Sequence, residues 1–147
     1  MRPWILKQTS EEITDINQID PKAIGFIYLV NIDGLKYIGK KSLYSERKKN
    51  LGKKELAEIT DKRLKTYKKV IKESDWKKYY GSNAKIKELV SNGSVPERII
   101  LEFAYSKQHL TYLETKYQFT LGVLEDTNFL NDNILGKFYR KLFNFSC

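Results

Sequence analysis

The chain has 147 residues, 41% of them apolar and 31% charged, with a formal net charge of +9. That size and apolar share fit one folded domain with its own core and exclude wholesale disorder. No run of ~18 apolar residues occurs, which excludes a helical membrane span, and the single cysteine, Cys147, excludes a disulfide framework or a cysteine zinc site.

The first residues turn polar too early to form the apolar core of a signal peptide, so a soluble, cytoplasmic protein is expected. Residues 1–22 read as an N-terminal extension, with a short helix near Glu11 and Ser10 as its N-cap. Residues 25–31 are a largely apolar, aromatic and β-branched run, hence a strand. Asp33-Gly34 is a strong two-residue hairpin signal, and residues 35–39 form the returning strand. The segment 44–72 reads mostly as a basic helix broken near Gly52. A loop with Trp76, Tyr79 and Tyr80 follows, then a helix capped by Ser82 and stopped by Asn92-Gly93. Residues 98–104 form a third strand, and Ser106 caps a helix ending at Gly122. The tail, 133–147, closes with an amphipathic helical stretch. The expected fold is α+β within the broad α/β group: a small three-stranded antiparallel sheet flanked by helices, spanning residues 23–132.

The excess charge is confined to one place. Residues 40–80 hold fifteen Lys or Arg against six Asp or Glu, while the rest of the chain is balanced at twelve each. Such a patch attracts a polyanion. It lacks a regular apolar face with interfacial aromatics, so nucleic acid ranks above a membrane surface.

A two-residue turn at Asp33-Gly34 sets Val30 opposite Tyr37 and Tyr28 opposite Gly39. Alternation then puts Tyr28 and Tyr37 on one face as diagonal neighbours, ~7–8 Å apart at the backbone. On the helix after the third strand, Leu110, Leu113, Tyr117 and Leu121 form an apolar stripe that also contains Glu114. A carboxylate there is costly unless paired or bound to metal. His109, in the first turn of that helix, and Cys147 have no identifiable catalytic partner.

Phe26-Ile27-Tyr28 followed by Tyr37-Ile38-Gly39-Lys40 resembles the paired motif of the GIY-YIG nuclease superfamily, over about residues 24–131. The second motif is complete; the first has Phe26 where glycine is usual, with Gly25 one place earlier. Trp76-Lys77-Lys78-Tyr79-Tyr80-Gly81-Ser82 is similar to a stretch of small, phage-type, homing-endonuclease-like members. The resemblance implies a DNA endonuclease using one Mg2+ (or Mn2+) held by Glu114. It implies catalytic roles for Tyr28, Tyr37, Lys40, Arg47 as a helix arginine, and Asn131, with Asn128 as the rival asparagine. Either phenol can be the base that activates water, with Lys40 and Arg47 stabilising charge. Leu51 stands where some members have His or Tyr.

Duplex DNA is the implied partner, contacted by Lys41, Lys48, Lys49, Lys53, Lys54, Arg63, Lys65, Lys68, Lys69, Trp76, Tyr80 and Ser82. A monomer with one site nicks; cutting both strands calls for a homodimer or a second visit. If the protein is viral, its place is the host cytoplasm. Two alternatives remain at this point: an inactive nucleic-acid-binding domain on the same fold, and a basic RNA-binding protein.

Overall fold

The Asp33-Gly34 turn organises the larger part of the molecule. Asp33 and Gly34 both take positive φ, at 50° and 81°, which defines a type I′ hairpin. The computed structural model describes residues 1–57 and 67–143, the side chains of 55, 56 and 67 excepted. It divides into two units, Met1–Leu43 with Asp75–Cys147, and Tyr44–Ser74.

In the first unit the elements are β1 (Trp4–Leu6), β2 (Glu12–Ile13), β3 (Gly25–Ile32) and β4 (Leu35–Ser42). The second unit holds β5 (Tyr44–Asn50), α1 (Lys53–Ala57) and β6 (Tyr67–Glu73). The first resumes with α2 (Ala84–Ser91), β7 (Glu97–Ala104), α3 (Lys107–Thr120), β8 (Asn133–Ile134) and β9 (Phe138–Tyr139).

The first unit is built on a five-stranded mixed sheet, ordered β2-β1-β7-β3-β4. The three expected antiparallel strands are its β7-β3-β4 portion. Residues 1–22, read from sequence as an extension with a helix, instead add β1, parallel to β7, and β2 at the edge. Ser10 sits at φ 60° in the turn between them and caps no helix. The tail is likewise a small β8-β9 hairpin followed by one 3-10 turn, Arg140–Leu142, rather than a helix.

β3 is covered on both sides, which explains its nearly continuous apolar sequence. On one side Ile27 and Ile38 meet Leu110 and Leu113 of α3, together with Val123, Phe129 and Ile134. On the other, Phe26 and Tyr28 pack edge-on against Trp4, with ring centroids 5.0 and 5.7 Å away, and Phe26 also meets Trp76 at 6.3 Å. This aromatic cluster is where Phe26 goes, and so explains the departure from glycine there. Gly25 lies against the Lys41 carbonyl and Leu110, so close that a Cβ would come within 2.7 Å of that oxygen.

The second unit departs most from expectation. Residues 44–50 and 67–73 of the basic segment are not helix but an antiparallel ribbon, with Tyr44 opposite Glu73 and Lys49 opposite Lys68; α1 is the one stretch of helix among the described residues there, and 58–66 lie outside them. Lys and Glu have good helix propensity, which is what the sequence reading registered. Seven cross-strand pairs in β5 and β6 outweigh it.

Candidate active site

The hairpin register is the one expected from the turn: Val30 lies opposite Tyr37 and Tyr28 opposite Gly39. Tyr28 and Tyr37 therefore share a face, with ring centroids 6.4 Å apart and planes tilted by 32°. Tyr28 is only 2% exposed, whereas Tyr37 is half-buried. The Tyr28 ring fills the space above Gly39, where an added Cβ would stand 2.6 Å from its Cζ atom. Any larger residue at 39 must displace the phenol.

The open edge of β4 organises the rest of the site. Residues 36, 38 and 40 turn their backbone polar groups away from β3, and each must find another partner. Lys36 donates to the Asn128 carbonyl at 2.8 Å and accepts from the Leu130 amide at 2.7 Å. At Ile38 the Asn131 side chain does both jobs, accepting from the amide at 3.1 Å and receiving no further strand. Its own amide donates to the Ile38 carbonyl at 2.8 Å. Asn131, 3% exposed, thus pins the residue between Tyr37 and Gly39. At Lys40 the backbone N–H faces the Glu114 carboxylate and opposes the rise in its pKa.

Glu114 thus stands near β4, close enough for its charge to act on both phenols. The Lys40 side chain leaves β4 on the α3 side, by alternation opposite to Tyr37. There its ammonium stands 4.0 Å from Glu114 Oε1 and donates to Thr111 Oγ1 at 3.1 Å. Thr111 lies one turn before Glu114 and was not singled out from sequence; the i, i+3 spacing on α3 was its only signal.

The electrostatics run against one expectation. Lys40 and Arg47 were to stabilise a phenolate. Instead, burial pushes the Tyr28 phenol far up, with neighbouring Tyr79, Tyr37 and Glu114 adding to the effect. Burial likewise raises Tyr37, followed by Glu114, Tyr79 and Asp132. Burial raises Glu114 too, opposed by the Lys40 ammonium and its amide. Each of these influences on the phenols favours the neutral form, because Lys40 is engaged with Glu114 on the other side of the strand.

A loop outside the expected set supports the phenols. The Tyr79 ring meets Tyr28 edge-on at 5.8 Å, and Lys41 lies over Tyr79 at 4.1 Å. Buried Arg98 holds this loop, donating to the carbonyls of Lys77 at 2.8 Å and Tyr79 at 2.9 Å, and to that of Arg2 at 2.6 Å. Its guanidinium rests 4.7 Å from the Trp4 ring, and burial lowers its pKa to about 10. Nothing local in the sequence marked Arg98, because its partners come from positions 2 and 77–79.

Several expected nucleic-acid contacts need correction. Trp76 is 0% exposed, and its carbonyl accepts a 2.7 Å hydrogen bond from Trp4 Nε1, so it belongs to the core. Lys41 is engaged by Asp75 at 2.6 Å. Ser82 is exposed but caps nothing; Asn83 caps α2, accepting from the amides of Lys85 and Ile86. Tyr80 is half-buried. Leu121 is exposed at the C-cap of α3 rather than part of a buried stripe, while Tyr117 donates to Glu102 at 2.9 Å. His109 accepts from the Tyr105 amide at 3.2 Å and stacks on its ring.

Arg47 lies on β5 opposite Val70, not on a helix, and belongs to the second unit. Lys48, Lys49, Lys68 and Lys69 lie on the same ribbon, and Lys53 and Lys54 on α1. Arg63 and Lys65 fall outside the described residues.

Among the described residues no group of three or more His, Cys, Asp or Glu side chains could hold a metal ion. Beside the phenol pair Glu114 supplies a half-buried hard oxygen donor, and its burial already disfavours its bare charge. That suits a cation which keeps most of its water, as Mg2+ does.

A family model described as "Putative endonuclease segE, GIY-YIG domain" matches residues 4–134. Comparison with curated proteins and with solved structures found no match.

Proposed function

The chain belongs to the GIY-YIG endonuclease family, and from that premise we propose that it is a Mg2+-dependent (or Mn2+-dependent) endonuclease acting on duplex DNA through Tyr28, Tyr37, Lys40, Glu114 and Asn131. The observation that carries the reading is the same-face phenol pair with the Glu114 charge acting on both rings.

Phosphodiester hydrolysis needs a base for water, charge stabilisation on the phosphoryl group and help for the leaving oxygen. Tyr37 is the phenol with solvent access, and Tyr28 lies against it. One phenol of the pair, after losing its own proton to solvent, takes the proton of the attacking water at its phenolate oxygen. In the ligand-free protein this step is uphill, because burial and Glu114 hold both phenols neutral. Glu114, in binding a divalent cation, would have its charge cancelled, which removes one influence that raises the phenols. Glu114 would hold the cation, which when bound would supply Lewis-acid stabilisation of the phosphoryl and leaving oxygens. Lys40, beside Glu114, neutralises charge on a phosphate oxygen. Asn131 positions Ile38 and with it the backbone of Tyr37 and Gly39. A single carboxylate fits one metal rather than two.

The test is relaxation of supercoiled plasmid with Mg2+ and with a chelator. Metal-dependent nicking that disappears in Glu114→Ala supports the reading. Salt-sensitive binding without any nicking would instead identify an inactive binding domain.

A further inference from the structure

The ribbon formed by β5 and β6 has two unlike faces. Alternation places Ser45, Arg47 and Lys49 on one side, opposite Lys72, Val70 and Lys68. Among the described residues of β5 and β6 that face carries four cations and no carboxylate. The other bears Glu46, Lys48, Lys69 and Glu73, whose charges cancel, together with Ile71 at 66% exposure.

Residues 45–50 and 68–73 are exposed on both faces, so no core holds the ribbon. A two-stranded ribbon alone is only marginally stable in water. Like charges set directly opposite, as at Lys49–Lys68, lower its stability further. The geometry therefore stores positive charge on one side of a strand pair at the expense of the strand pair itself. A polyanion lying on that side relieves the repulsion.

We propose that the Arg47 face of this ribbon is the DNA-docking surface, entering the major groove of B-form duplex with Lys49, Lys68 and Lys72 against the phosphates. The inference rests on the nuclease reading for its partner, but on the ribbon alone for its face. The major groove of B-DNA, ~12 Å wide, admits a two-stranded ribbon, and arginine is the side chain best matched to guanine there. The major groove of duplex RNA is too deep and narrow for it. This also gives Arg47 work on the ribbon itself.

The test compares two double variants of the full chain that remove the same charge at adjacent register positions, Lys49→Gln/Lys68→Gln and Lys48→Gln/Lys69→Gln. Binding to a labelled random-sequence DNA duplex is measured in chelator, so that cutting cannot interfere, over a series of salt concentrations. Circular dichroism reports the fold of both variants.

For Lys49→Gln/Lys68→Gln, the slope of log affinity against log salt falls by about 2, and affinity falls at least roughly tenfold. For Lys48→Gln/Lys69→Gln, on the face whose charges cancel, both losses are clearly smaller. Equal losses in the two variants, or a larger loss in the second, would overturn the assignment of the face. Duplex RNA competing as well as duplex DNA would overturn the groove. Neither result touches the nuclease reading, which fails separately if the parent shows no metal-dependent nicking.

Discussion

Two hairpins of similar length behave in opposite ways in this chain. The β3-β4 hairpin has both faces covered around Tyr28, and a core under α3 fixes which side chains point where. The β5-β6 ribbon has neither face buried and spends its sequence on charge. The first can hold two phenols at a defined separation and seal one of them, Tyr28, from water, which is what chemistry needs. The second can present charge to a large partner, for which position matters less than sign. On the proposed reading, catalytic and binding roles divide according to what each hairpin buries.

The sharpest break between the two should appear on removing Glu114. Glu114→Gln is expected to slow Mg2+-dependent nicking by about 1,000-fold or more, equivalent to roughly 4 kcal/mol of barrier. Its DNA binding in chelator should be unchanged, because the ribbon is intact; a parallel loss of binding would merge the two roles. Next come Tyr28→Phe and Tyr37→Phe, each removing one hydroxyl. Single-turnover rates should drop about 100- to 1,000-fold, in the range of general-base loss.

Asn131→Ala leaves the Ile38 amide without a partner at a buried edge and its carbonyl with only the 3.4 Å bond from Gln118 Nε2. Urea unfolding should show a loss of about 2–3 kcal/mol. The buried hairpin also has a pH signature. In the folded chain Tyr28, Tyr37 and Tyr117, the last at about 12, keep their protons beyond the usual phenol range. Unfolded phenols ionise near ~10. Above that pH the folded state therefore binds more protons than the unfolded one, and stability falls as pH rises. Their contribution is complete below pH ~10 and is lost progressively on the alkaline side, which equilibrium denaturation at a series of pH values can follow. The smallest effect belongs to the ribbon: Lys48→Gln/Lys69→Gln should change unfolding free energy by less than about 0.5 kcal/mol.

How legible each hairpin was follows from the same contrast. The Asp33-Gly34 turn and strict alternation determined the Tyr28–Gly39 register without tertiary information. The Ser106 cap and the leucine spacing located α3 and Glu114. β1 and β2 left no such trace, because they are two or three residues long and β1 exists through pairing with distant β7, β2 through pairing with β1. Trp76 was misassigned for the same reason: its partner Trp4 is 72 residues away. In the ribbon, exposed lysines on both faces erase the two-residue period that distinguishes a strand, and helix propensity filled the gap. Ser82 and Asn83 are adjacent residues able to cap, and propensity does not choose between them.

Whether Glu114 and the tyrosine pair act as one unit is measured most directly by a double-mutant cycle. Single-turnover cleavage of a labelled duplex in Mg2+ is compared for Tyr37→Phe, Glu114→Gln and the combined variant. If they share one transition state, the combined variant is hardly slower than Glu114→Gln alone. Losses that multiply, or a Tyr37→Phe protein that cuts at the parental rate, would contradict it.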